Sequence, residues 1–199
     1  MVSSVNSAKL SESDALVVVD VQRDFCPGGS LGVEHGDAVV EPLNLAAARV
    51  RAAGGMVIAT RDWHPAETIH FRSWPVHCVQ GTQGAEFHPA VALPTDTIFV
   101  SKGMRELDDA YSGFEAVDSV GHSLEEILKR AGVRRLLIGG IATDYCVRAT
   151  ALDALRYGFA VVVLTDAVRA VNLRDGDGER ALEELSVAGA ALASTRSLV

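Results

Sequence analysis

The chain contains few cysteines. Cys26, Cys78 and Cys146 are the three in its 199 residues, an odd number, and no two of them have the CxxC spacing of many metal and redox sites. A framework of disulfides is therefore not expected, and at least one free thiol is.

Positive charge and long apolar runs are also scarce. The chain has 18 Lys and Arg residues against 26 Asp and Glu residues, a net charge of −8, which argues against a nucleic-acid partner. No apolar run approaches the ~20 residues of a membrane span. The polar start, MVSSVNSAKLSESD, lacks the apolar core of a signal peptide, so we expect a cytoplasmic protein without a membrane partner.

Internal repeats, low-complexity tracts and linkers are lacking as well. Apolar residues make up 48% of the chain and charged residues 22%, which is typical of a soluble globular protein. These features predict one domain over residues 1–199, with a flexible N-terminal segment at 1–13. Both a monomer and a homo-oligomer are compatible with the sequence.

Short apolar runs rich in β-branched residues alternate with helical stretches. This pattern predicts an α/β fold with a parallel sheet covered on both faces. The predicted strands are 15–20, 56–60, 98–101, 135–140, 159–165 and 191–194, and the predicted helices are 37–53, 123–131, 145–157 and 177–189. Two irregular stretches, 61–97 and 103–117, interrupt this order, and a loop as long as the first is usually functional.

Cys146 falls just after the fourth predicted strand, at the start of a predicted helix. A helix N-terminus carries roughly half a positive charge, so it favours a thiolate over a thiol and can hold an oxyanion. The alternative is a small buried hydrophobic side chain, which is the commonest fate of a free cysteine.

Three other reactive side chains lie at the ends of predicted strands. Asp20 ends the first, Asp62 follows the second and Lys102 follows the third. Each alone could be a turn residue, a cap or a solvated charge. Because parallel strands bring their carboxyl ends to one edge, these groups and Cys146 can converge into a single site.

The first irregular stretch carries a metal-ligand pattern. Asp62, His64, His70 and His77 have the spacing D-x-H-x5-H-x6-H. Carboxylate and imidazole ligands suit Zn, Fe(II) or Mn(II), and the lack of cysteine ligands favours an open catalytic site over a structural zinc knuckle. The alternative is a set of polar loop histidines that bind no metal.

Aromatic residues in loops are expected at the same edge. Phe25, Trp63, Phe71 and Trp74 could form the walls of a pocket for a flat ring. For any one of them, ordinary anchoring of its loop is the alternative.

The chain resembles the nicotinamidase/pyrazinamidase branch of the isochorismatase-like cysteine hydrolases. Six segments carry the resemblance: VDVQRDFCPGGSL (19–31), TRDWHP (60–65), SWPVHCVQGTQGAEFHP (73–89), SKG (101–103), YSGFE (111–115) and GGIATDYCVRATALDA (139–154). The segment around Cys146 indicates the superfamily. The histidines and WPVHC indicate the branch, because metal-free isochorismatases lack them.

The resemblance implies a three-layer α/β/α sandwich with a six-stranded parallel sheet of Rossmann-like topology. It implies deamidation of nicotinamide to nicotinate and ammonia, a step of NAD salvage, and hydrolysis of pyrazinamide. It also implies one divalent transition metal ion and no organic cofactor. The small-molecule partners would be nicotinamide and its analogues.

The resemblance further assigns roles to single residues. They are a catalytic triad of Asp20, Lys102 and Cys146; metal ligands Asp62, His64, His70 and His77; an oxyanion hole of the Ala142 and Cys146 N–H groups, after a cis peptide bond; and a substrate pocket of Phe25, Trp74, Ile141 and Tyr145. Tyr145 stands where many relatives have histidine. The spacing from His70 to Trp74 is shorter than in some members.

Two other functions remain open at this point. One is a different amide hydrolase of the superfamily, acting on a ureidoacrylate- or carbamoyl-type substrate. The other is a metal-binding redox sensor with Cys146 as its reactive thiol and no turnover. The D-x-H-x5-H spacing argues for a substrate with a ring nitrogen, and the intact Asp20, Lys102 and Cys146 set argues against the sensor.

Overall fold

The fold is a three-layer α/β/α sandwich built on one parallel sheet. The computed structural model describes residues 9–199. The strands are β1 (Asp14–Val19), β2 (Met56–Asp62), β3 (Ile98–Lys102), β4 (Arg135–Ile141), β5 (Ala160–Arg169) and β6 (Ala191–Ala193). Their order is β3-β2-β1-β4-β5-β6, and every neighbouring pair is parallel. This is the doubly wound order, so the predicted fold class is confirmed.

Four α-helices cover the two faces of the sheet. They are α1 (Val40–Ala52), α2 (Leu124–Arg130), α3 (Arg148–Arg156) and α4 (Asp177–Val187). Helix α1 packs on one face, whereas α2, α3 and α4 pack on the other. The apolar run of strand β1 is explained by its position between the two layers of helices. Leu16 and Val18 belong to the first core cluster and Val17 and Val19 to the second, so both faces of the strand are buried.

The helix predicted at 145–157 begins later than expected. Residues Thr143–Val147 form a π-helical turn, and the regular helix starts at Arg148. The Ala142 carbonyl accepts hydrogen bonds from the N–H groups of both Tyr145 (3.1 Å) and Val147 (3.0 Å), which widens the turn. Cys146 therefore lies in this turn and not in the first turn of α3.

Strand and helix boundaries otherwise differ from the predictions by a few residues. Strand β5 is the largest difference, since it continues to Arg169 beyond a register shift against β4. Helix α2 begins after Ser123, which forms a capping box with Glu126. Helix α1 is preceded by a 3-10 turn at Gly36–Val39 within the predicted helix.

The predicted flexible segment, 1–13, falls partly outside the described residues, since its first eight are not among them. Within its described part, residues 9–13, Leu10 contacts the folded domain. The Leu10 side chain is buried, and its N–H donates to the Val199 carbonyl (2.7 Å). In the described chain, no helix combines the length and the apolar character that crossing a membrane requires.

Candidate active site

The predicted convergence at the carboxyl ends of the strands is observed. Asp20 directly follows β1, while Asp62 and Lys102 are the last residues of β2 and β3 and face each other in register. The backbone of Asp20 turns sharply (φ 49°), and its N–H donates to the Thr60 carbonyl (3.2 Å). Cys146 completes the group from the turn after β4. The strands thus bring together side chains that are up to 126 positions apart along the chain.

Lys102 lies at the centre of this group. Its Nζ atom is 3.0 Å from Asp20 Oδ2 and 3.5 Å from Cys146 Sγ, and it donates a short hydrogen bond to Asp62 Oδ1. Its side chain is fully buried, and a buried cation is stable only when it is paired. Two carboxylates and a sulfur supply that pairing.

Electrostatics keep Lys102 charged. Burial alone would lower the pKa of Lys102, but Asp20, Asp62 and Cys146 together raise it well above its usual value. The lysine therefore offers a permanent positive charge to the sulfur and to Asp20.

The pKa of Cys146 differs from the sequence-based expectation. Burial raises the pKa of the Cys146 thiol well above its usual value, with Asp20 and Asp62 acting in the same direction and Lys102 against it. The resting sulfur is thus a thiol and not the thiolate that a helix N-terminus would favour. A base must remove its proton.

Asp20 has the geometry of that base. Burial raises the pKa of Asp20, which brings it closer to that of a proton acceptor working near neutral pH. Thr60 Oγ1 donates to Asp20 Oδ1 (2.6 Å) and fixes the carboxylate. Asp20 Oδ2 is 3.0 Å from Lys102 Nζ and, among the described residues, makes no hydrogen bond of normal geometry, so it retains a lone pair that can accept a proton. Carboxylate oxygens of Asp20 and Asp62 lie within 4.8 Å of the sulfur.

Three histidines form a second cluster beside the first. The ring nitrogens of His64, His70 and His77 come within 4.8 Å of one another, and all three side chains are buried. Asp62 Oδ2 lies 3.8 Å from His64 Nε2 and 4.0 Å from His77 Nε2. The structure therefore brings together all four side chains of the predicted metal site, His77 included.

Each of these histidines has its Nδ1 atom engaged by an acceptor. His64 Nδ1 contacts the Gly103 carbonyl (3.0 Å) and His77 Nδ1 contacts the Pro75 carbonyl (2.7 Å). His70 Nδ1 contacts Asp109 Oδ1 (2.5 Å). These contacts favour the tautomer with the proton on Nδ1, so each Nε2 atom keeps its lone pair. Histidines that bind metal ions in proteins usually have this tautomer and this kind of hydrogen bond.

The protonation of the cluster also fits a metal site. Burial and the neighbouring histidines lower the pKa of His64 to about 3, and burial lowers the pKa of His77. Neutral imidazoles are the form that binds metals. The buried His64 Nε2 has no hydrogen-bond partner among the described residues. A divalent transition metal ion would satisfy that atom.

Asp62 belongs to both clusters, and Gln22 holds it in place. The Gln22 side chain is buried, and its amide donates to the Asp62 carbonyl (2.7 Å) and accepts from the Asp62 N–H (2.8 Å). One carboxylate oxygen of Asp62 contacts Lys102 and the other faces the histidines. The carboxylate of Asp62 therefore lies between the two clusters and contacts both.

A pocket opens onto both clusters. Its lining includes all four side chains predicted to bind substrate, namely Phe25, Trp74, Ile141 and Tyr145, together with Cys146, Asp62, His70 and His77. Of the four candidate aromatic walls, Trp63 and Phe71 are not part of the lining. Trp63 is covered by the Arg61 guanidinium (3.9 Å), and Phe71 packs edge-on against His64 (5.5 Å between ring centroids).

The floor of the pocket contains the predicted oxyanion-hole residues. Ala142 and Cys146 both line it, and the Ile141–Ala142 peptide bond is cis, as expected from the resemblance. The turn at Thr143–Val147 begins right after this peptide bond and carries Cys146.

Sequence reasoning missed two residues of this site, Asp109 and Tyr111. The Tyr111 hydroxyl accepts a hydrogen bond from Trp74 Nε1 (3.0 Å), and its ring stacks on Tyr145 (6.2 Å between centroids). Both lie in the second irregular stretch, and Tyr111 also begins the YSGFE segment of the resemblance, but neither residue was assigned a role. An Asp and a Tyr in a polar loop carry no signal of their own, since the partners are 37–39 residues away.

Fold and site together define a class of enzyme, the cysteine hydrolases built on a parallel α/β/α sandwich. The particular family follows from comparison with known proteins. The chain belongs to the isochorismatase domain family, whose model matches residues 14–197.

Within this family, the chain is similar to individual nicotinamidases and pyrazinamidases. The chain is 42% identical over 185 residues to the nicotinamidase/pyrazinamidase of Mycobacterium tuberculosis, which covers 89% of this chain and 97% of that protein. It is 38% identical over 198 residues to the nicotinamidase of Escherichia coli, covering 89% and 93%. The pyrazinamidase of Pyrococcus horikoshii, solved in complex with zinc, superposes with a TM-score of 0.84 at 47% identity, covering 92% and 99%.

We predict that His64→Ala and His70→Ala each lose metal and activity together, because each removes an Nε2 donor from the cluster. Metal analysis of purified protein should find about one equivalent of a divalent transition ion in the parent and far less in the variants. His88→Ala is the matched control, since His88 is a partly buried loop histidine outside the cluster. Stoichiometric metal in a His64→Ala/His70→Ala double variant would refute the assignment.

Proposed function

We propose that this chain deamidates nicotinamide to nicotinate and ammonia, and that it also hydrolyses pyrazinamide. The relatives that carry these activities match it over nearly their whole length. One structural observation carries the proposal. Cys146 from the first group and His70 and His77 from the histidine cluster line the same aromatic pocket, so one small ring with a carboxamide can reach both groups.

The reaction begins with transfer of the thiol proton. Asp20 takes the proton of Cys146, and the charge of Lys102 stabilises the thiolate that forms. This transfer inside a buried site replaces the Asp20 anion by the sulfur anion at similar distances from Lys102 (3.0 and 3.5 Å). The net charge of the group is therefore conserved, and no bare ion is created in the interior.

The thiolate then attacks the carboxamide carbon and forms a tetrahedral intermediate. The backbone N–H groups of Ala142 and Cys146 hold the developing oxyanion, an interaction typically worth about 3–4 kcal/mol per donor. Asp20 returns its proton to the nitrogen, because ammonia leaves readily only when the amine is protonated. The product of this half-reaction is a thioester on Cys146.

Hydrolysis of the thioester uses the same groups in reverse. Asp20, again an anion, activates a water molecule that attacks the thioester carbonyl. The oxyanion forms in the same place, and the thiol is regenerated when nicotinate leaves. Lys102 keeps its charge throughout, since its raised pKa prevents it from acting as an acid.

Asp62, His64, His70 and His77 would hold one divalent transition metal ion, with Zn, Fe(II) and Mn(II) suited to this donor set. The ion would supply a Lewis-acid site for the ring nitrogen, directly or through a bound water. Phe25 and Trp74 line the pocket and would contact the two faces of the ring, and Tyr111 accepts a hydrogen bond that orients Trp74. A bound ion would thus help to orient the ring.

The two other functions fit less well. A carbamoyl- or ureidoacrylate-type substrate is acyclic or lacks the ring nitrogen, so it would not use the histidine cluster. A thiol sensor needs an exposed and readily ionised sulfur, whereas the Cys146 side chain is largely buried where it lines the pocket, and burial raises its pKa.

Ammonia release tests the proposal directly. We expect the purified protein to release ammonia from nicotinamide and pyrazinamide, and to lose most of that activity after treatment with a chelator. Adding back Zn, Mn(II) or Fe(II) should restore it and would identify the preferred ion. Ammonia from carbamoyl substrates without any from nicotinamide would favour the first alternative, and no release from any amide would favour the sensor.

A further inference from the structure

The loop after β3 lies along the long metal-binding loop. We call residues Gly103–Tyr111 the supporting segment. The Ile69 N–H donates to the Glu106 carbonyl (2.8 Å), and Thr68 Oγ1 donates to the same carbonyl (3.2 Å). Gln80 Nε2 donates to the Met104 carbonyl (3.3 Å). Hydrogen bonds thus join the two loops shortly before His70 and shortly after His77 in the sequence.

One end of the supporting segment contacts a histidine through its backbone. Gly103 has φ +63°, and its carbonyl accepts from His64 Nδ1 (3.0 Å). A Cβ atom at this position would lie 2.4 Å from His64 Cε1. The backbone can therefore approach the imidazole closely only because residue 103 is a glycine.

The other end contacts a histidine through a side chain. Asp109 Oδ1 lies 2.5 Å from His70 Nδ1, and the two rings on either side of His70 belong to His64 (4.7 Å, stacked) and Tyr111 (5.5 Å). His64 and His77 use backbone carbonyls for their Nδ1 atoms, whereas His70 uses a carboxylate. A carboxylate behind a metal-binding imidazole fixes its tautomer and the orientation of its ring.

We infer that Asp109 is a positioning residue that aims His70 Nε2 into the three-histidine cluster and thereby sets the metal affinity of the site. The inference rests on the proposed function only in taking the cluster as a metal site. Asp109 does not line the pocket, and its side chain hydrogen-bonds to a residue that does, His70.

The solvent exposure of the Asp109 side chain indicates how its replacement would affect the protein. The Asp109 side chain is 49% exposed, whereas that of His70 is 4% exposed. Solvent screens the charge of a half-exposed carboxylate, so the ion pair contributes little to the stability of the fold. Replacing Asp109 should therefore leave the protein folded and change the orientation of a buried ring.

The experiment measures zinc affinity in the full chain by competition with a chelator. We expect Asp109→Ala to weaken zinc binding by about 10–100-fold, because removal of such an outer-shell partner typically has that effect. Asp109→Asn keeps an acceptor and loses the charge, so its loss should be smaller. The melting temperature of the zinc-free protein should stay close to that of the parent in both variants.

Asp108→Asn is the matched control. Asp108 is the adjacent carboxylate, and its side chain accepts from the Arg105 N–H (3.0 Å) within the loop. Its zinc affinity should equal that of the parent. Nicotinamide hydrolysis by Asp109→Ala should recover at saturating zinc, which a general disturbance of the pocket would not allow.

Zinc affinity of Asp109→Ala and Asp109→Asn within twofold of the parent would overturn the inference, as would an equal loss in Asp108→Asn. The proposed function is tested separately. If the parent releases ammonia from nicotinamide but Asp109→Ala binds zinc normally, only the inference fails. If the parent shows no amidase activity but Asp109→Ala binds zinc weakly, the inference stands and the proposed function fails.

Discussion

Cys146→Ala should abolish nicotinamide hydrolysis, with a loss of at least about 10⁴-fold in kcat, because it removes the only atom that forms the thioester. The change should leave the fold intact, since it deletes one sulfur from a side chain at the pocket floor. Steady-state ammonia release measures the first effect and thermal melting the second. Turnover within tenfold of the parent would exclude the covalent mechanism.

The other two cysteines provide matched controls. Cys26 and Cys78 are as buried as Cys146, but neither lines the pocket. Burial raises the pKa of all three thiols, that of Cys26 to about 11, but among the described residues Cys146 is the cysteine whose sulfur contacts Lys102 Nζ (3.5 Å). Cys26→Ala and Cys78→Ala should therefore retain most of the activity. Loss of the thioester in either variant, with Cys146 present, would show that the wrong thiol was chosen.

Asp20→Asn should lower kcat by at least about a thousandfold. The substitution keeps the size of the side chain and removes the base, and two proton transfers depend on that carboxylate. General acid–base assistance is typically worth about 10²–10⁴-fold per step. We expect so large a loss because the raised pKa of Cys146 means that its proton must be removed before the sulfur can attack.

Two further measurements make the Asp20 test specific. Metal content should be unchanged, because the histidine cluster does not include Asp20. Asp96→Asn, which removes a carboxylate from a surface ion pair with Arg51, should keep parental activity. Near-parental turnover in Asp20→Asn would mean that another group is the base, and loss of metal would mean that the substitution acts through the metal site.

The sequence alone determined the architecture and the membership of the site. Six apolar β-branched runs alternating with helices require a parallel sheet, and a parallel sheet brings its strand ends to one edge. Asp20, Asp62, Lys102 and Cys146 could be selected for that reason alone, before any distance was known. The histidine spacing predicted a second cluster, and the structure places these side chains close together. The fold class was confirmed because the alternation of strand and helix periodicity is a local property of a chain.

Three features were decided only by the tertiary structure. The pKa of Cys146 is raised, although its position after a strand predicted a thiolate, because burial depends on everything packed around the sulfur. Trp63 and Phe71 are loop aromatics like Trp74, yet only Trp74 reaches the pocket. Asp109 meets His70 across 39 residues of irregular chain. Packing between distant parts of the chain determines how far a side chain is removed from water, which way it points, and which residue contacts the back of a histidine ring. No short stretch of sequence encodes these properties.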